Sequence, residues 1–399
     1  MRAFTAVASL LPPKGTRGRG QPLIRRSHHC HCGYPIFFRN HLCLHCGRAL
    51  GYDPEKATIL SLDPVDKGET ETWRRAGTSV SDGVYRRCAN FGLAPQCNWL
   101  LQESDTEHNQ LCRCCRLNRT VPDQSIAANA ALWHKVELAK RRVVSSLIAL
   151  GLPVASRVSE DTQRGLAFDL LVATEPLAVK TGHHEGIITL NVSEADDAAR
   201  EAIRTALHEP YRTLLGHVRH ESGHYYWSRL LDNSPWHEPF RVLFGDERQD
   251  YAAALQKHYS EGPAPTWATT CVSAYASAHP WEDWAETWAH YLHMVDTLDT
   301  AMGFGMGNSH LRLLKDPFDK DVLYCREGEH GRADEEFLAF VNTWTGLTSV
   351  LNEFSLGMGL PDFYPFVLSN SAVTKLHFVH RFIKALGQPI VSEPKGVAA

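Results

Sequence analysis

Residues 214 to 227 read LLGHVRHESGHYYW, with His220, Glu221 and His224 in the order His-Glu-x-x-His. On a helix, positions i and i+4 share a face, so the two imidazoles can meet one metal ion with Glu221 beside them. Three other His-Glu pairs, His184-Glu185, His208-Glu209 and His237-Glu238, lack the second His three residues after the Glu. The chemistry such a pattern supports is metal-assisted hydrolysis, in which a zinc ion activates water and the Glu takes its proton. A catalytic zinc needs a third protein ligand and an open position. The segment CVSAYASAHPWEDWAETWAHYLH, residues 271 to 293, offers Glu282 and Glu286 one helical turn apart. One carboxylate can reach the metal while the other accepts a hydrogen bond from a ligating imidazole. His290 and His293, on or near the same helix, read as ordinary polar or core histidines.

The cysteines carry a second chemistry. Nine of the 11 lie between Cys30 and Cys115, and clustered thiols with no secretion signal read as metal ligands in a reducing, cytoplasmic setting. Cys43-Leu-His-Cys46-Gly47 is a zinc knuckle, the Gly permitting the tight turn. Its partner is irregular: His29 stands where a Cys is expected, so either Cys30 or His29 joins Cys32 to complete the tetrahedron. Tyr34, Ile36, Phe37 and Phe38 lie between the knuckles as a ribbon hairpin, with Phe37 and Phe38 as its small core. Cys88, Cys97, Cys112 and Cys115 form a second four-thiolate set, and Cys114 is an extra thiol able to replace a neighbour. Cys271 and Cys325 read as ordinary thiols. One catalytic and two structural zinc ions are therefore expected.

Elements must hold these groups in place. An Arg-rich leader expected to be disordered fills residues 1–26, a zinc ribbon 27–52, and a second cysteine-rich zinc-binding segment 53–125, of which 53–87 reads as a linker followed by a short strand. Residues 126–399 form the larger domain. Apolar residues recurring at three and four predict a helix from Ala127 to Leu150, stopped by Gly151 and Pro153. A strand is predicted around Leu166 to Ala173 and another at Ile187 to Val192. The second is a candidate edge strand for holding an extended peptide, or else an interior strand. Asp196 to Leu207 reads as a helix, and Pro210 suits the first turn of the metal helix. Further helices are predicted near Pro239 to Phe244, Asp246 to Tyr259, Glu335 to Asn352 and Val373 to Leu386, with a Pro-rich break at Pro263 and Pro265 and a Gly-rich loop beyond residue 300.

The His-Glu-x-x-His motif with a downstream Glu resembles the gluzincins, the class that includes thermolysin and the anthrax lethal factor. In the latter a Tyr stands seven residues before the ligating Glu and a second Glu four after it, a spacing matched by Tyr275, Glu282 and Glu286. The resemblance implies Glu282 as ligand, Glu286 as its outer partner and Tyr275 as a donor to the oxyanion, with Glu286 as the alternative ligand. FFRNHLCLHCG, CRLNRTVPD, HESGHYYW, SAYASAHPWEDWAETWAHYLH and LPDFYPFVLS also resemble a bacterial family of zinc-binding metallopeptidases with an N-terminal zinc ribbon. That resemblance implies an α+β chain, a zinc-ribbon module followed by a mainly helical zincin-like metallopeptidase domain with a small sheet.

Composition sets bounds. The 399 residues, 43% hydrophobic and 22% charged, suit a chain of two or more domains, and no apolar run is long enough to span a membrane. Residues 1 to 119 carry 17 Lys and Arg against 10 Asp and Glu, and the remainder 24 against 35. The basic front can meet nucleic acid or dock on the acidic rest of the chain. It lacks Lys and Arg interleaved with exposed aromatics, so a peptide or protein substrate is favoured over nucleic acid. The alternative function is a catalytically retired zinc-ribbon binding protein contacting nucleic acid or a protein partner; the intact Glu221 argues for the peptidase.

Overall fold

The computed structural model describes residues 26–65, 71–105, 110–173, 179–207, 209–306, 315–324 and 331–386. All but Arg26 of the leader segment, with Cys325 and most of the Gly-rich loop, lies outside the described residues. The architecture is mixed α+β, with sheets and cysteine clusters in front and a mainly helical part behind.

Strands β1 (His28–His29) and β2 (Pro35–Ile36) form a small antiparallel hairpin. Ile36 is buried beneath it and Phe38 packs edge-on against Tyr52, but Phe37 is 53% exposed and forms no part of a core. The expected linker is instead a sheet. Strands β3 (Ala49–Asp53), β4 (Thr58–Val65), β5 (Thr72–Arg75), β6 (Val84–Arg87) and β7 (Leu100–Gln102) run as an antiparallel meander. Its apolar residues Leu60, Leu62, Tyr85 and Leu100 share one small core. Mostly short strands, two of them half Arg, give too weak an alternation to be read as a sheet.

A second sheet, in the order β10-β11-β9-β8, comprises β8 (Asn118–Thr120), β9 (Ala167–Leu171), β10 (Gly182–His184) and β11 (Ile187–Asn191). Strands β8, β9 and β11 are parallel, and β10 pairs antiparallel to β11. The predicted edge strand is therefore interior, bonded on both sides, and β10 and β8 are the edges among the described residues. Helix α1 (Ala127–Ala149) makes the β8 to β9 crossover and ends at Gly151, whose φ of +75° suits glycine.

Helix α2 (Asp197–Ala206) leads to α3 (Leu214–Tyr226), the helix of the His-Glu-x-x-His motif. Pro210 does not open α3. Thr213 caps it instead, its Oγ1 accepting from Gly216 N at 2.9 Å, while Arg212 is drawn into ion pairs with Glu209 and Glu194. Helices α4 (His237–Phe244), α5 (Tyr251–Glu261) and α6 (Trp267–Thr270) follow. Asp246 to Asp250 stays outside α5 because Asp246 binds Arg248 and Asp250 caps the helix. Helix α7 (Pro280–Gly303) starts with His279 as cap and Pro280 in the first turn. Helices α8 (Arg332–Gly357) and α9 (Asn370–Leu386) complete the core. Among the described residues no helix is long and apolar enough to cross a membrane.

Helices α3 and α7 meet at Gly223. A Cβ there would lie 3.0 Å from Ala285 Cα and 3.2 Å from Trp288 Cβ, so only glycine admits this approach without displacement. Trp284 Nε1 donates to Gly223 O at 2.8 Å and Trp288 Nε1 to Ser222 Oγ at 3.0 Å. These bonds satisfy two buried indoles and fix the rotation of α7 against α3.

Candidate metal centre

That helix contact brings the motif residues together. His220 and His224 turn their Nε2 atoms towards each other at 3.2 Å, and Glu282, in the first turn of α7, closes the group. Glu282 Oε2 lies 3.0 Å from His220 Nε2 and Oε1 lies 3.4 Å from His224 Nε2. A tetrahedral zinc with bonds of about 2.0–2.1 Å holds its ligand atoms roughly 3.3 Å apart, so the two Nε2 atoms and the Glu282 carboxylate can converge on one ion. Glu282 Oε2 is buried with no hydrogen-bond partner among the described residues, as is Glu221 Oε2. A carboxylate oxygen left so is costly unless a cation faces it.

The neighbours fix the donors. Glu286 Oε1 accepts from His220 Nδ1 at 2.7 Å, which leaves the lone pair on Nε2, and Glu286 Oε2 accepts from Ser273 Oγ at 2.7 Å. Both oxygens of Glu286 are thus engaged. Tyr251 OH donates to Glu282 Oε1 at 2.8 Å. The Tyr275 ring lies 6.0 Å from that of His220, and the Trp281 ring 5.5 Å from that of His224. Sequence reasoning missed Tyr251 and Ser273; for Ser273 the one available signal is its place two residues before Tyr275.

Electrostatics agree with a centre built for positive charge. Burial works against the His220 imidazolium, yet Glu282 and Glu286 hold the imidazole well above its ordinary value. Burial would raise Glu282, but His224 and His220 hold it well below. Glu221 goes the other way: burial raises its carboxyl in spite of both imidazoles. His290 and His293 stand outside the group; His290 Nδ1 meets Tyr364 OH at 2.6 Å and His293 Nδ1 meets Arg219 Nη1 at 2.5 Å.

Two four-thiol groups lie in the front part. Cys30, Cys32, Cys43 and Cys46 converge, with Cys30 Sγ 3.6 Å from Cys46 Sγ and Cys32 Sγ 3.9 Å from Cys43 Sγ. His29 is exposed and outside the group. Although burial opposes it, hydrogen bonds from Ser61 and the Cys32 backbone bring the Cys30 thiol down to about 6. Cys88, Cys97, Cys112 and Cys115 form the second group, wholly buried, with Cys97 Sγ 3.6 Å from Cys112 Sγ. Zinc–sulfur bonds of about 2.3 Å place sulfurs roughly 3.8 Å apart in a tetrahedron, so both groups fit zinc. Cys114 is buried but stands apart from the second group, beside Lys140 and Glu137, and burial raises its thiol well above the ordinary range. Cys271 is likewise buried and outside every group.

Residues 129–382 match a family described as "Putative zinc-binding metallo-peptidase", and residues 27–126 match a zinc-ribbon domain. Uncharacterized proteins of Mycobacterium bovis and Mycobacterium tuberculosis are each 38% identical over 360 residues, covering 90% of this chain and 95% of the relative. No solved structure matches the chain.

Proposed function

Because the chain belongs to the zinc-binding metallo-peptidase family, we propose that it hydrolyses peptide bonds at the centre formed by His220, His224 and Glu282, with two four-cysteine zinc sites serving structure. The observation that carries this reading is the convergence of two Nε2 atoms and the Glu282 carboxylate on one point, with a buried Glu221 adjoining. Glu282 is the direct ligand and Glu286 the outer partner of His220, because both Glu286 oxygens already accept hydrogen bonds. A zinc ion bound there supplies Lewis acidity, lowering the pKa of a water and polarising the scissile carbonyl.

The chain's own residues do the rest. Glu221 takes the water's proton at a carboxylate oxygen and passes it to the leaving amine; its raised carboxyl brings acid and base forms nearer to working pH. Glu286 keeps His220 in the tautomer that presents Nε2, and Ser273 keeps Glu286 in place. Tyr275 donates a hydrogen bond to the substrate oxygen that develops charge. Strand β10 lies beside α3, with the His183 ring 6.2 Å from that of Tyr225, and its outer edge, unpaired among the described residues, offers backbone groups to an extended peptide. Arg48, Lys56, Arg113 and Arg116 pair with carboxylates of the front itself, and Arg116 and Arg119 pair with Glu160 and Asp169 of the larger part, so these cations are already engaged and a peptide or protein substrate is favoured over nucleic acid.

The test combines metal counting with cleavage of a peptide library. Wild-type protein should hold about three zinc ions per chain and His224→Ala about two. Glu221→Gln should keep all three and cleave at least about 100-fold more slowly. Full cleavage by Glu221→Gln would remove the proposed base. An unchanged metal count in His224→Ala would leave the retired, partner-binding reading in the lead.

A further inference from the structure

Within the segment between His224 and Glu282, helix α5 brings Tyr251 to the centre. Helix α5 is a surface helix with no buried residue. It is bounded by Gly245 and Gly262, at φ of +104° and +84°, conformations only glycine adopts without strain. Its first residue, Tyr251, nevertheless reaches inward. The ring sits against His279 at 5.2 Å and Trp281 at 6.2 Å, the two residues that open α7, and its hydroxyl donates to Glu282 Oε1 at 2.8 Å.

The two oxygens of Glu282 therefore differ. Oε1 accepts from the phenol and also lies 3.4 Å from His224 Nε2, within reach of the same ion; Oε2, 3.0 Å from His220 Nε2, is buried and accepts from no hydroxyl or amide among the described residues. A carboxylate at a metal can bind through one oxygen or through both, and the second mode fills coordination space that a hydrolytic site must leave open. We propose that Tyr251 is a positioning residue that favours Glu282 as a single-oxygen ligand: its hydroxyl competes for Oε1, which lies within reach of the metal, and leaves Oε2 as the ligating oxygen. This rests on Glu282 being the third zinc ligand. The geometry also gives the insert a role: α5 delivers the residue that sets how Glu282 binds.

The experiment uses full-length, zinc-loaded protein and Tyr251→Phe, which removes only the hydroxyl. A graded chelator should strip the third zinc from Tyr251→Phe at about 10-fold lower concentration than from wild type, as loss of an outer-shell partner typically weakens metal binding 10–100-fold. The two four-cysteine zinc ions should stay in both. After selective refilling of the third site with cobalt(II), the visible absorption of Tyr251→Phe should be weaker than that of wild type, because a freed carboxylate binds with both oxygens and raises the coordination number. Tyr259→Phe, on the same helix and 61% exposed, should match wild type in both measurements. The inference falls if Tyr251→Phe holds the third zinc and its cobalt band as wild type does, or if Tyr259→Phe changes both equally. A wild type with no third zinc sinks the metal centre and this inference together; a third zinc that His224→Ala loses and Tyr251→Phe keeps sinks this inference alone.

Discussion

Replacing Asp296 with Asn should destabilise the whole molecule more than any surface change, because three parts of the chain meet on this carboxylate. Arg26 at the start of the described residues donates to Oδ1 at 2.7 Å, while Arg142 of α1 and Arg219 of α3 bind Oδ2 at 2.5 and 2.7 Å. Asp296, Arg26 and Arg219 are each almost wholly buried, and the Arg142 side chain is 35% exposed. Burial would raise the Asp296 carboxyl, but Arg26, Arg219 and Arg142 hold it well below its ordinary value. Burial in turn lowers Arg26 and Arg219, which share one anion. Asparagine preserves the shape and removes the charge, leaving two buried guanidiniums without a counter-ion. Breaking a buried pair in this way costs about 3–5 kcal/mol. For a chain of this length unfolding as one unit, at roughly 0.8 kcal/mol per degree, that is a fall in Tm of about 4–6 °C.

A thermal scan at pH 7 reads this directly, with Arg142→Ala, the exposed member, expected to cost less than about 1 kcal/mol. The pH dependence supplies the sign. A carboxyl whose folded pKa lies below its unfolded value stabilises fully above the unfolded pKa of about 3.9 and loses that contribution as pH falls through the folded one. The gap between wild type and Asp296→Asn should therefore be flat from pH 7 to about 5 and shrink below about 4. A Tm difference under about 1 °C at pH 7 would refute the buried-hub argument.

Gly223→Ala should weaken the α3–α7 contact. Overpacking costs about 1–3 kcal/mol, against about 1 kcal/mol gained in helix propensity. A small loss of stability in denaturant titration, with earlier loss of the third zinc to chelator, is expected. Cys97→Ser should lose one zinc and destabilise the chain, because Arg141, buried beside the thiolates, would lose the charge it faces. Cys114→Ser should keep every metal, since Cys114 lies outside both groups. Mass spectrometry of the two purified variants distinguishes them, and equal metal loss in both would contradict the ligand set.

The sequence made legible what is set by spacing within one element. His220 and His224 share a face because a helix repeats every 3.6 residues, and Cys43 with Cys46 can wrap one metal because two residues separate them. Helix α1 followed from periodic apolar residues and a clear stop, whereas α7 runs on to Gly303, beyond the segment singled out in the sequence. The front sheet was not legible: strands such as Thr72–Arg75 and Leu100–Gln102 hold too few residues to show a period, and their pairing is a property of the meander. Strand β11 was found but not its place, because an alternating strand reads the same at an edge as in the interior. Only the hairpin to β10 and the parallel bonds to β9 decide it.

The metal centre divides along the same line. Glu282 and Glu286 were visible as a pair one turn apart, but spacing alone is symmetric between them. The asymmetry comes from outside the helix: Ser273 and His220 engage Glu286, and Tyr251 engages one oxygen of Glu282. Tyr251 stands 31 residues before Glu282, beyond any periodic relation, on a helix whose own pattern reports only a surface. What brings it inward is the packing of its ring on His279 and Trp281, next to the cap and first turn of α7. The sequence thus narrows the candidate ligating groups, while what distinguishes two chemically equal carboxylates comes from tertiary contacts. Substitutions at Tyr251 and Ser273 should therefore change how the metal is held without touching a ligand, whereas those at His220 or His224 remove it.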